Sequence, residues 1–312
     1  MLMNYMSSKW SLTVLASLLV IFSGCSKSAM ESSLELFEPD LKAVSLQSGV
    51  TDGLITMHAD RWAVAYVKDT KSGTLLKDSS GVPLMLNGPG TAGLMAGWLT
   101  LEKTNDNQLK MNLRENFSNQ ARDFIIGIST DGNRKEEMHI IQTRAAGYEL
   151  VKKDIREIDT SRKSYLSTEG CKNITLVNST DQEEKMSTDE VFSHVQYSST
   201  FTSDDYGAFD WLAANDSLIF MDDLLMDGSI VWSDHVAYKA GTTLVPYYEK
   251  GGTEGALTLR PYSTVQVSGK MQYIERTCKY TFTIKNKSSG NQFLITGTWK
   301  QKVPVIPHLR FE

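Results

Sequence analysis

From about residue 44 onward the apolar residues of this 312-residue chain recur in short runs, and no long segment keeps the helical period. Leu109, Met111 and Leu113 alternate with Lys110 and Asn112, the pattern of a strand with one dry and one wet face. Leu54–Met57, Trp62–Val67, Trp98–Leu101, Phe124–Ile128 and Met138–Gln142 are further candidate strands. Thr130-Asp131-Gly132-Asn133 supplies a hairpin turn before the last of them. Short strands with regular turn signals point to a β-sandwich over residues 44–143.

The second half keeps the same period. Asn173–Asn178 reads as a strand, and Val195, Tyr197 and Phe201 alternate with Gln196, Ser198, Thr200 and Thr202. Val236–Tyr238, Leu257–Leu259, Val265–Val267, Tyr280–Ile284 and Phe293–Trp299 follow, with Asn286–Asn291 as a loop before the last. An extended antiparallel β domain is therefore expected over 165–312. Between the two halves, Val151, Ile155 and Ile158 stand among charged residues; 144–164 is read as a short amphipathic helix or a charged linker.

The N-terminus sets the compartment. An apolar run, Ser11–Gly24, begins just after Lys9, and Phe22-Ser23-Gly24-Cys25 resembles a bacterial lipobox. About 14 residues are too few to span a bilayer that needs ~20. The resemblance implies that residues 1–24 are a lipoprotein signal peptide and that Cys25 is acylated, with polar residues 25–43 as the tether. The expected location is the outer membrane or cell surface, lipid-anchored. Removing residues 1–24 takes Lys9 with it and moves the net charge from −5 to about −6. Without a basic block to neutralise phosphates, nucleic acid is not expected as a partner.

Cys171 and Cys278 remain after Cys25, and in an oxidising compartment a Cys171–Cys278 disulfide is expected, with two buried thiols as the alternative. They lack the close spacing and nearby histidines of a zinc site, and no metal or other cofactor is expected. Asp222, Asp223 and Asp227 match no calcium loop and read as a solvated acidic turn.

Trp62 in an early strand, Trp98-Leu99-Thr100, Asn116 with Ser118, Arg122 entering an Ile-rich strand, and the closing Ile140-Ile141-Gln142 resemble the BACON domain, the Bacteroidetes-associated carbohydrate-binding often N-terminal domain. The interval from Trp62 to Trp98 is longer than that family's pattern and holds the loop Leu86–Thr91. The resemblance implies an immunoglobulin-like sandwich in an exported, glycan-handling protein. A sugar site needs an exposed aromatic face with polar groups beside it. Trp62 and Trp98 lie inside strands and read as core, which leaves Tyr66 as the candidate ligand-binding residue.

Leu176–Glu183 leading into a Ser/Thr-rich strand, then Leu259–Val267 and Gly297-Thr298-Trp299, resemble the insertion region of aerolysin and epsilon-toxin type β-pore-forming proteins. That resemblance implies an oligomer whose alternating hairpins close a barrel in lipid. Where such a hairpin would lie, Phe209–Leu212 and Leu218–Gly228 are apolar in blocks, which also fits a loop or short helix covering an ordinary sheet. No phosphate loop, zinc-protease helix or nucleophile elbow occurs. His58, His139, His194, His235 and His308 are scattered, and the neighbours Asp234 and His235 would point to opposite faces of a strand. The expectation is a non-enzymatic, lipid-anchored envelope protein that binds glycans or glycoproteins, with a pore-forming protein as the alternative.

Overall fold

Strand follows strand in the computed structural model, which describes residues 35–105, 107–131, 133–212, 217–247 and 255–312. Among them there is no α-helix, only the 3-10 turns Pro39–Lys42 and Asp189–Phe192. Cys25 and the tether before residue 35 lie outside the described residues, whereas Leu36 and Phe37 are fully buried in the sandwich core, which corrects the expected tether over its last residues.

The sandwich forms from eight strands: β1 (Ala43–Leu46), β2 (Thr51–Thr56), β3 (Trp62–Asp69), β4 (Gly90–Gly93), β5 (Leu99–Asn105), β6 (Gln108–Leu113), β7 (Arg122–Thr130) and β8 (Lys135–Gln142). One sheet has the order β1-β8-β7-β3 and the other β2-β6-β5-β4. Leu101, Leu109, Leu113, Phe124, Ile126 and Val64 meet between them, each stabilising the fold by about 1.5–3 kcal/mol through burial. Trp62 is core, as expected, with the buried Lys103 ammonium 4.3 Å from its ring centroid.

The residues that carry the BACON resemblance knit one end of this sandwich. Arg122 donates to Gln142 Oε1 at 2.6 Å and to the Arg114 carbonyl at 2.8 Å. Asn116, fully buried, donates to the Gln120 carbonyl at 2.8 Å and accepts from the Ser118 hydroxyl at 2.7 Å. The same loop is built again at Asn178, which donates to the Gln182 carbonyl at 2.7 Å and accepts from Thr180 Oγ1 at 2.8 Å. An amide side chain with donors and an acceptor on one planar group can satisfy both strands of a tight loop at once.

Beyond the sandwich come β9 (Tyr148–Glu157), β10 (Lys163–Ser167), β11 (Ile174–Val177), β12 (Glu184–Ser187), β13 (Gln196–Thr202), β14 (Leu218–Phe220), β15 (Leu224–Met226), β16 (Ser229–Trp232), β17 (His235–Ala237), β18 (Gly241–Pro246), β19 (Ala256–Leu259), β20 (Thr264–Asn286) and β21 (Gln292–Phe311). The spine is the β20–β21 hairpin, paired from Val267↔Phe311 to Lys285↔Gln292. β13 and β18 extend it on one side, while β9, β10 and β11 line the other edge of β20.

Residues 148–157 are thus a strand, which corrects the expected helix or linker. Ile155 faces inward opposite Tyr280 and Leu150 opposite Ile284; the bulge between them leaves Val151 as an exposed extra residue, and it is Val151, four before Ile155, that imitates a helical spacing.

The two ends of the hairpin are covered on opposite faces. Odd-numbered Val267, Met271 and Tyr273 join Val191, Phe192 and Val195 in one cluster, while even-numbered Ile274, Cys278, Tyr280, Phe282 and Ile284 join another. The second cluster is roofed by the segment between β13 and β18, whose Trp211, Met221, Leu224, Trp232 and Tyr238 are buried. That segment forms two small antiparallel pairs, β14 with β17 and β15 with β16, so it is a cover made of short strands.

Cys171 and Cys278 are separate thiols, which corrects the expected disulfide. The Cys171 thiol lies against the backbone of Met271, seven residues along the strand from Cys278, or about 23 Å at ~3.3 Å per residue. A disulfide needs Cα atoms within about 7 Å. Burial pushes the Cys278 thiol up to about 11, as for an inert core residue.

Candidate ligand-binding face of the first sandwich

Trp62 and Val64 point into the sandwich, so strict alternation along β3 would bury Tyr66 as well. A bulge intervenes: Val64 pairs with Ile128 and Tyr66 with Gly127, leaving Ala65 as an extra residue. Tyr66 therefore turns outward and Val67 turns in. The signal missing from the sequence is that extra residue, since nothing in Ala65 itself announces a bulge.

On the outer face of the sheet, Tyr66, Gly127 and Glu137 form one cross-strand row, and Lys68, Ile125 and His139 the next. The Tyr66 ring lies over Gly127, where an added Cβ would come within 2.3 Å of the ring. Glycine is required there by close approach. The Tyr66 hydroxyl donates to Glu137, and Lys68 donates to the same oxygen at 2.7 Å. Lys68 and Tyr66 together hold the Glu137 carboxyl below its ordinary value. Burial, followed by the Glu137 hydrogen bond, raises the Tyr66 hydroxyl.

One step further along the strands, His139 Nε2 lies 2.6 Å from Asp123 Oδ1. Asp123 is held low by hydrogen bonding from Thr70 first and from His139 second. This diagonal cross-strand pair escaped the sequence reading, in which Asp123 and His139 are 16 residues apart. Asp234, by contrast, accepts at 2.7 Å from the backbone N–H of His235.

Asp123 also borders a cleft of about 240 Å³ at the sandwich end, together with Asp69, Trp98, Asn119, Gln120 and Arg122. Trp98 is half-buried, packed edge-on against Phe124 at 5.1 Å and 4.9 Å from the Arg122 guanidinium. It is therefore less buried than the expected core tryptophan. A half-exposed aromatic plane, carboxylates and amides can hold a polar ligand with apolar C–H faces.

The acidic turn is occupied by the protein itself. Asp222 pairs with Lys153 at 2.9 Å, and the carbonyls of Asp222 and Asp223 accept from Arg276 at 2.9 and 3.0 Å. No His/Cys/Asp/Glu group that could hold a metal occurs among the described residues.

No family model matches the chain, and no curated protein matches it in sequence. Among solved structures, an NMR structure of a protein from Bacteroides thetaiotaomicron is 18% identical, covering 39% of this chain and 99% of that one at a TM-score of 0.28. The parasporin-2 toxin of Bacillus thuringiensis is 8% identical, covering 53% and 73% at 0.24. Lamprey immune protein is 10% identical, covering 85% and 98% at 0.29. These scores are low, and the all-β assignment, an immunoglobulin-like sandwich followed by an extended β domain, stands on the strand pairing.

Proposed function

We propose that the protein is a non-enzymatic, lipid-anchored component of the cell envelope that binds glycans or glycoproteins on the outer face of its first sandwich. The observation that carries this reading is Tyr66, turned out of the core by a bulge and laid flat over Gly127 between Glu137 and Lys68. A sugar ring stacks its C–H face on such a plane while the neighbouring carboxylates accept from its hydroxyls. Cys25 supplies the anchor, and its acylation is checked by mass spectrometry of the membrane fraction.

The test is a glycan array with the full-length protein, followed by titration of the best ligand. Tyr66→Ala is expected to weaken binding about tenfold, a loss of ~1.4 kcal/mol. Gly127→Ala should do the same by pushing the ring off the sheet, although Tyr66 is retained. Unchanged binding in both variants sinks the proposal. Dye release from liposomes with ring-shaped oligomers would favour the pore-forming reading instead.

A further inference from the structure

The second sheet carries a surface that the Tyr66 reading does not use. On β20 the residues opposite in parity to the roofed core are Thr277, Lys279, Thr281, Thr283 and Lys285, and they look outward. Their cross-strand neighbours continue the pattern. Arg156, Lys279, Thr298 and Thr202 form one row, and Thr277, Lys300, Thr200 and Thr242 the next. The hydroxyls pair across strands, Thr202 with Thr298 at 2.6 Å and Thr200 with Thr242 at 2.8 Å. The result is a flat field of hydroxyls with cations standing in it.

The charges are only partly neutralised by Asp154 and Glu149, which stand on the same face opposite Thr281 and Lys285. Arg156 is directly opposite Lys279, and Lys300 is the diagonal neighbour of Lys279, about 7–8 Å away. Like charges placed directly opposite destabilise a sheet. Arg156 has Asp154 at 2.8 Å and Lys285 has Glu149 at 3.5 Å, whereas Lys279 and Lys300 have no carboxylate partner among the described residues. Asp205, bonded to Thr296 at 2.8 Å, stands at the margin of the field. All three clustered cations are exposed, in a chain whose net charge is −5.

We propose that this face docks an acidic polysaccharide, with Lys279, Lys300 and Arg156 meeting its carboxylate or sulfate groups and the threonine rows meeting its hydroxyls. Charge complementarity selects an anion, and hydroxyl groups repeating along each row at the strand spacing of ~4.8 Å select an extended, hydroxylated one. A bilayer surface is a poorer fit, because no aromatic side chain stands in these rows to anchor at the interface.

The experiment uses the full-length protein with heparin and polygalacturonate as sulfated and carboxylated probes, neutral dextran as control and phosphatidylserine vesicles as the competing surface. The wild type is expected to bind one of the two acidic probes and to release it as salt rises. Lys279→Gln with Lys300→Gln should weaken that binding about tenfold and flatten its salt dependence, while the melting temperature holds or rises as the repulsion is relieved. Tyr66→Ala should leave it unchanged, so failure here and failure of the Tyr66 site are told apart. Equal binding by wild type and double variant, no binding to either acidic probe at low salt, or binding confined to the vesicles would each overturn the proposal.

Discussion

Arg276 is only 5% exposed, and two of its hydrogen bonds attach the long hairpin to its cover while a third ties the hairpin's own two strands together. Its Nε donates to Gln301 Oε1 at 2.7 Å, its two terminal nitrogens hold the Asp223 and Asp222 carbonyls, and its guanidinium lies 5.0 Å from the Trp299 ring centroid. Glu157 balances its charge at 3.6 Å. Removing the fork leaves buried acceptors without donors and Glu157 without part of its compensation. Arg276→Gln is therefore expected to cost about 3 kcal/mol in urea unfolding, and Arg276→Lys less, since it keeps the charge but not the planar fork. A loss under ~1 kcal/mol for the glutamine variant would show that the latch contributes little.

At the scale of elements, the bulges decide which faces are dry. On β21, Val303 and Leu309 are both odd-numbered, yet Val303 joins the roofed cluster and Leu309 packs against the cluster on the opposite face. The register accounts for this: Gln272 pairs with Ile306 and Tyr273 with Pro304, so Val305 is an extra residue that reverses the parity. Inserting one residue between His308 and Leu309 should move Leu309 from its place opposite Gly269 and turn it away from Val267 and Met271. Hydrogen exchange over Thr264–Tyr273 is then expected to become fast while Tyr280–Ile284 stays protected; uniform protection would refute the parity argument.

The same bulges explain what was legible beforehand. Strands with unbroken alternation, such as Leu109–Leu113 and Tyr280–Ile284, were readable from sequence. The outward turn of Tyr66 and the strand at Tyr148–Glu157 were obscured, because an extra residue shifts the apolar pattern off period two. Val265–Val267 and Tyr280–Ile284 read as two strands because the intervening Met271 to Cys278 changes the face on which it is buried. His139 and Asp123 could not be paired without the β7–β8 register.

At the scale of the whole molecule, the loops at one end of the sandwich are built into the second domain. Phe117 packs against Tyr148 and Phe293 at centroid distances of 5.1 and 5.4 Å, in the core of the domain that follows its own. Beside it, Tyr148 donates to Glu115 Oε1 at 2.7 Å and Asn286 donates to the same oxygen at 2.5 Å, while Glu115 Oε2 is buried without a partner. Burial raises the Glu115 carboxyl above its ordinary value despite these bonds. A carboxyl whose folded pKa is raised contributes stability below its unfolded value of about 4.3, and that contribution is lost as pH rises through the folded value. In Glu115→Gln this dependence disappears. The melting temperature of the wild type relative to the variant should therefore fall as pH rises above about 4 and level off once the buried carboxyl has ionised. A flat difference would mean that the charge is compensated at the joint.

The buried asparagines carry a consequence for how the chain can be produced. Asn116-Phe117-Ser118, Asn178-Ser179-Thr180 and Asn286-Lys287-Ser288 each spell the acceptor triplet for N-linked glycosylation, yet these asparagines are at most 1% exposed and their amides close the loops. An oligosaccharide added to the growing chain in a eukaryotic secretory pathway would occupy the amide that each loop needs. The fold is thus compatible with hosts that leave these triplets alone, and secretion from yeast or mammalian cells would stall it before it closed.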